Sequence, residues 1–161
     1  MNAIGNSSNR HARAIIFGVA GILLSLAIGA PILATQGNTE LYALFSSVCH
    51  QASERCFCIA ERPIALCARC VGIYGGVMLA ALLFPERWLG RKTLLALLGV
   101  GISAVAVDVA LETVGLYHNV KWLRLLTGSA LGIALAPFAL GALIEMCSEK
   151  LGEQKHTKSL S

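Results

Sequence analysis

The sequence predicts an all-α protein, an integral membrane four-helix bundle. Apolar residues make up 56% of the 161-residue chain and charged residues only 14%, against roughly 25% charged in a soluble domain. Four apolar stretches, at 14–34, 64–84, 93–114 and 123–146, each run to about twenty residues or more, the length that crosses a ~30 Å hydrocarbon core at ~1.5 Å per residue. An unusually apolar soluble bundle is the competing reading, and four such stretches in one short chain weigh against it.

Taken in order, residues 1–13 form a polar N-terminal tail and 14–146 a single transmembrane domain. The first stretch follows Arg10 and Arg13, as the core of a signal peptide would. It is longer than the usual ~7–15 residue signal core, and no small-x-small cleavage site follows it, so it reads as a retained span. The outer loop at 35–63 is the only long connection. The second stretch opens on a Cys-x-x-Cys pair, Cys67 and Cys70, and carries Gly72, Gly75 and Gly76. The loop at 85–92, PERWLGRK, is short and basic, as an inner turn should be. The third stretch holds Asp108 and Glu112, and the turn after it, GLYHNVKWLR at 115–124, adds His118, Asn119, Lys121 and Arg124. The fourth carries Gly128, Gly132 and Ala136, with Pro137 expected to kink it, and residues 147–161 form a flexible polar tail. Small residues one turn apart let helix backbones approach closely in lipid, so these glycines read as packing faces, within the chain or toward a protein partner or homodimer.

Orientation follows from Lys and Arg. Eight of the 13 (Arg10, Arg13, Arg87, Arg91, Lys92, Lys150, Lys155 and Lys158) fall on the side of the termini, and five (Arg55, Arg62, Arg69, Lys121 and Arg124) fall on the other. The richer side is cytoplasmic by the positive-inside rule, which puts both termini inside and the long loop outside a plasma membrane. The net charge of +4 comes largely from these flanks and does not indicate nucleic-acid binding.

Five of the six cysteines lie between positions 49 and 70, on the predicted outer side, and Cys147 stands apart as a lone interfacial thiol. Three chemistries suit that cluster. In the first, Cys49, Cys67 and Cys70 supply thiolates to one zinc, iron or copper ion, with His50 as fourth ligand. In the second, Cys67 and Cys70 are a redox pair whose thiols are acidified by the helix N-terminus and Arg69, exchanging with Cys56, Cys58 or Cys49. In the third, the loop cysteines form structural disulfides, which leaves at least one of five unpaired. Asp108 and Glu112 share a helix face. An acid as deep as Asp108 needs a partner or a function, and Arg69 and Arg124 are the obvious partners. Arg55, Arg69, Asp108, Glu112, Asn119 and Arg124 are thus the expected charged frame. His118, in an exposed turn, reads as a surface histidine.

Four helices with a Cys-x-x-Cys at the outer end of the second resemble the quinone-linked disulfide-forming enzymes of bacterial inner membranes, which would make quinone a cofactor of the redox reading. A more specific resemblance rests on CHQASER at 49–55, LCARCVGIYGG at 66–76, Asp108, Asn119 and LRLLTGSALG at 123–132. Across roughly residues 40–135 the chain resembles a prokaryotic family of predicted membrane proteins classed as a domain of unknown function. The resemblance implies family positions at Cys49, His50, Arg55, Cys67, Arg69, Cys70, Gly72, Tyr74, Gly76, Asp108, Asn119, Arg124 and Gly128, and it implies no reaction. Cys56 and Cys58 stand where that family reads more like Ser-Phe, so they are peculiar to this chain.

Overall fold

The computed structural model describes residues 3–83, 90–115 and 120–158, with side chains described over 10–83, 92–115 and 120–146. Most of the basic 85–92 loop, together with His118 and Asn119, lies outside the described residues, as does the side chain of Cys147. The chain is mostly helical: α1 (Ala3–Thr35), α2 (Glu40–Ser46), α3 (Ala68–Leu83), α4 (Arg91–Thr113) and α5 (Lys121–Lys158). Within α1, α4 and α5 the segments Arg10–Thr35, Lys92–Thr113 and Lys121–Met146 are long and apolar enough to cross a membrane, and α3 is a shorter apolar helix. Ile22, Val100 and Leu126 are among the large apolar side chains left exposed on the outside of these helices, a surface suited to lipid rather than water. Helices α1 and α5 run beyond their apolar segments, so the helical backbone takes in most of residues 1–13 and 147–161.

Side-chain contacts fix the directions of the helices. Arg13 on α1 donates to the carbonyls of Ala81 (2.7 Å) and Leu82 (2.8 Å) at the end of α3, so the two run antiparallel. A guanidinium there satisfies carbonyls that the last turn of a helix leaves without a partner. Gly101 on α4 lies against Leu131 on α5 while Glu112 lies against Arg124, so α4 and α5 are antiparallel too. Between α3 and α5 the contact is parallel and close. A Cβ on Gly72 or Gly76 would strike the Leu125 or Ser129 backbone, and one on Gly128 or Gly132 would strike the carbonyls of Arg69 or Ile73. These four glycines pack within the chain, so their faces are not free for a second copy. Gly75 does not join them: a Cβ there would meet open space, because position 75 sits off the ridge that Gly72 and Gly76 share.

The segment between α1 and α3 departs most from the expectation of a loop followed by a helix from 64. Two residues past the end of α1, Gly37 takes a φ of +87°, the left-handed cap of a helix C-terminus. The Gly37 N–H donates to Ala34 O and the Asn38 N–H to Leu33 O. After the short α2 and a 3-10 turn at Ser53–Arg55 come two antiparallel strands, β1 (Cys56–Ile59) and β2 (Arg62–Cys67). The structure is therefore not purely α-helical, and α3 begins at Ala68 rather than 64. Hydropathy cannot separate a short buried strand such as PIALC from the first turn of a helix. The connecting residues Ala60 and Glu61 both have positive φ, 50° and 63°, the geometry of a two-residue hairpin turn that Asn-Gly usually makes. Here it is made without glycine, at a strain of about 1–3 kcal/mol per residue.

The hairpin is held at the end of α1. Arg62 Nη1 donates to Ala34 O (3.2 Å), and Ile64, Ala65 and Leu66 are buried. Ala65 and Leu66 share one apolar core with Ala27, Ala30, Phe45 and Cys49. Ala30 is five residues, about 8 Å, inside the end of α1. Non-helical backbone at such a depth needs protein around it, and α1 and α2 provide that cover.

Candidate metal centre

Two polar clusters meet at the N-terminal turn of α3. The first is made of sulfur. Cys49 follows α2, Cys67 ends β2 and Cys70 sits in the first turn of α3, and their Sγ atoms all lie within 4.8 Å of one another. Cys67 Sγ and Cys70 Sγ are hydrogen-bonded at 3.5 Å, and the Cys67 backbone N–H donates to Cys49 Sγ at 3.2 Å. Two sulfurs on one tetrahedral ion with bonds of ~2.3 Å stand about 3.8 Å apart, so the three are spaced for a shared ion with little movement. All three are free thiols.

Residues outside the sulfur cluster hold the loop in place. Gln51 adopts φ 50° and its Nε2 donates to Tyr42 O (2.7 Å). The Tyr42 hydroxyl donates in turn to Pro63 O, and burial raises that phenol, which keeps it a donor. Tyr42 thereby ties α2 to β2, and Gln51 ties the cysteine loop to α2. Gln51 was legible only as the third letter of CHQ, and Tyr42 gave no signal in the sequence.

His50 is not brought to the sulfurs. It is exposed, while Cys49 beside it is 5% exposed. Adjacent residues in this non-helical turn point to opposite sides, so one turns inward and its neighbour outward. Cys58 is also exposed. Cys56 is 0% exposed and pairs across the hairpin with Cys67, yet it lies outside the three-sulfur group. Burial pushes its thiol up to about 11, with the neighbouring Cys67 and Cys49 adding to the rise.

The second cluster is ionic. Arg69, between Cys67 and Cys70 in the sequence, turns its side chain away from them and pairs with Asp108 on α4. Glu112, one turn along α4, pairs with Arg124 at the start of α5 and with Arg55 Nη2 at 3.3 Å. Asp108 and Arg124 are 3% and 1% exposed, a depth at which an ion survives only when paired. Asp108 thus takes Arg69, one of the two arginines expected for it, and Arg124 goes to Glu112. Among the described residues the Nε atoms of Arg69 and Arg124 are buried without a hydrogen-bond partner. Asn119, expected in this frame, lies outside the described residues. Phe57 on β1 stacks edge-on against Trp122 on α5 at 5.5 Å, which joins the hairpin to the α4–α5 side.

Comparison with known proteins adds the family. The model of predicted membrane proteins designated DUF2085 matches residues 49–138, a span that opens on Cys49 and takes in Cys67, Cys70 and the whole ionic cluster. An uncharacterized protein of Methanocaldococcus jannaschii is 31% identical over 136 residues, covering 75% of this chain and 85% of that protein. An uncharacterized protein of Methanothermobacter thermautotrophicus is 35% identical over 95 residues, covering 57% of this chain and 84% of its own. No solved structure matches the chain.

Proposed function

The chain belongs to the DUF2085 family of predicted membrane proteins, and from that premise we propose that it is a four-helix membrane protein that holds a metal ion between Cys49, Cys67 and Cys70. The carrying observation is the mutual approach of the three sulfurs to within 4.8 Å. Their surroundings favour the same reading. Three thiols converge, and Arg69, which lies between two of them in the sequence, is engaged by Asp108 instead. Ionised sulfurs there call for positive charge, which a metal ion supplies, and the first turn of α3 offers only the partial charge of its N–H groups. Zinc, iron and copper(I) all accept thiolates. Three protein ligands leave a fourth position for an exogenous donor, or for His50 after an inward rotation.

In this reading α3 crosses the bilayer together with β2, which continues its path along α1. The helix directions then alternate, with Arg10, Arg13 and Lys92 at the end that holds both termini. The positive-inside rule makes that end cytoplasmic, and the thiols face outward across a plasma membrane.

Elemental analysis of protein purified without chelator, with a thiol count in the presence and absence of reductant, tests the site. About one equivalent of zinc, iron or copper, lost in Cys67→Ser, is the expected result. Metal-free protein with a reducible Cys67–Cys70 bridge and bound quinone would overturn it. That outcome would support a second reading, a thiol–disulfide oxidoreductase, which the 3.5 Å approach of Cys67 Sγ to Cys70 Sγ favours.

A further inference from the structure

Cys56 is the one thiol of the hairpin that neither the metal site nor the surface accounts for. It is wholly buried and opposes Cys67 in the strand register. Register partners of an antiparallel pair have Cα atoms about 4.5–5.5 Å apart, inside the ~4.4–6.8 Å range that a disulfide spans, and the ladder shifts register only after this pair, between Cys56 and Cys58. Cys58, two residues on, opposes Pro63 and is exposed. Because Cys56 stands outside the sulfur group, it is not a fourth ligand in this arrangement. We propose that Cys56 is a resolving thiol, which withdraws Cys67 from the cluster by forming a cross-strand disulfide and so makes metal retention depend on redox state. The inference rests on the metal reading for its consequence, but the pairing itself does not.

The chemistry balances with a small-molecule disulfide as oxidant. The Cys67 thiolate, partly exposed, attacks one sulfur of the oxidant and expels the first thiolate. The Cys56 thiol then loses its proton and attacks Cys67 Sγ in the mixed disulfide, expelling the second. Two protein thiols become one disulfide, and one external disulfide becomes two thiols. Cys67 can no longer donate to the ion, and two ligands, Cys49 and Cys70, hold it weakly. A thiol-containing reductant reverses both steps.

The test uses the full chain in detergent, loaded with zinc and treated with oxidised glutathione, with zinc release and disulfide-mapped peptides followed together. A Cys56–Cys67 bridge forming in step with zinc release is expected, and Cys56→Ser should release zinc at least about tenfold more slowly. Cys58→Ser should behave as the unaltered chain. A dominant Cys67–Cys70 or Cys49-containing bridge, or equal release from Cys56→Ser, would overturn the proposal. The same map on chelator-stripped protein reads the pairing without metal. A Cys56–Cys67 bridge in a chain that never binds zinc sustains the pairing while the metal reading fails. If Cys56→Ser does not fold, the map of the unaltered chain decides.

Discussion

Arg69 sits between Cys67 and Cys70 in the sequence, yet the three side chains serve clusters with opposite needs. On one side of the first turn of α3 the ionic cluster is nearly closed upon itself: Asp108 meets Arg69, and Glu112 meets Arg124 and Arg55. On the other side three sulfurs lie within 4.8 Å of one another, and Arg69, the cation between two of them in sequence, is engaged by Asp108. A buried ion pair neutralises itself and can hold four elements together without any visitor. A group of thiols cannot; it either stays protonated, oxidises or takes a cation. The difference teaches that the ionic side is structural in kind and the sulfur side is built to exchange something with its surroundings.

The sharpest break between the two sides is a pair of substitutions. Cys49→Ser should abolish stoichiometric metal, since structural zinc sites are worth on the order of 10–16 kcal/mol, while leaving the ionic side intact. Metal retained at full stoichiometry in that variant would mean that the sulfurs are not joint ligands. Asp108→Asn should do the reverse. It strands Arg69 and costs about 3–5 kcal/mol, seen as a lower melting temperature in detergent with metal content unchanged in the folded fraction. Asp108→Leu combined with Arg69→Met should recover most of that loss, because an apolar pair of similar volume needs no counter-ion. If the double variant melts no higher than the single one, the pair does more than neutralise itself.

A smaller effect is expected where α3 meets α5 beneath both clusters. Gly132→Ala places a methyl against the Ile73 carbonyl and should cost about 1–3 kcal/mol by forcing the helices apart. Gly75→Ala, which meets open space, should be neutral or stabilising by about 0.5–1 kcal/mol. Equal melting temperatures for the two would refute the close contact.

Within the sulfur side, alkylation of metal-free protein sharpens the contrast between Cys67 and Cys56. Cys67 is partly exposed, whereas Cys56 is wholly buried and its thiol, raised by burial to about 11, stays protonated at neutral pH. Cys67 should therefore react at least about tenfold faster than Cys56 at pH 7. Peptide-level mass spectrometry reads both rates, and equal rates for the two thiols would count against the burial of Cys56.

Features that depend on summed or strictly local quantities were legible in the order of the residues. Three long apolar helices follow from residue-by-residue hydropathy, and the shared face of Asp108 and Glu112 follows from helical periodicity. The closeness of Cys67 to Cys70 follows from their spacing, and the reading of Gly72, Gly76, Gly128 and Gly132 as packing faces from small residues one turn apart. Tertiary structure decided the rest. PIALC became a strand because β1 was there to pair with it, and the Ala60–Glu61 turn carries none of the Gly or Asn that announces a hairpin. Cys49 entered the sulfur group and His50 did not, because loop direction is set by Gln51 and Tyr42, which bond across α2 and β2 rather than along the chain. Asp108 drew Arg69 and Glu112 drew Arg124 through the register of α3 and α5 against α4. Long-range packing chooses among partners of equal chemistry, and no local pattern in the chain encodes that choice.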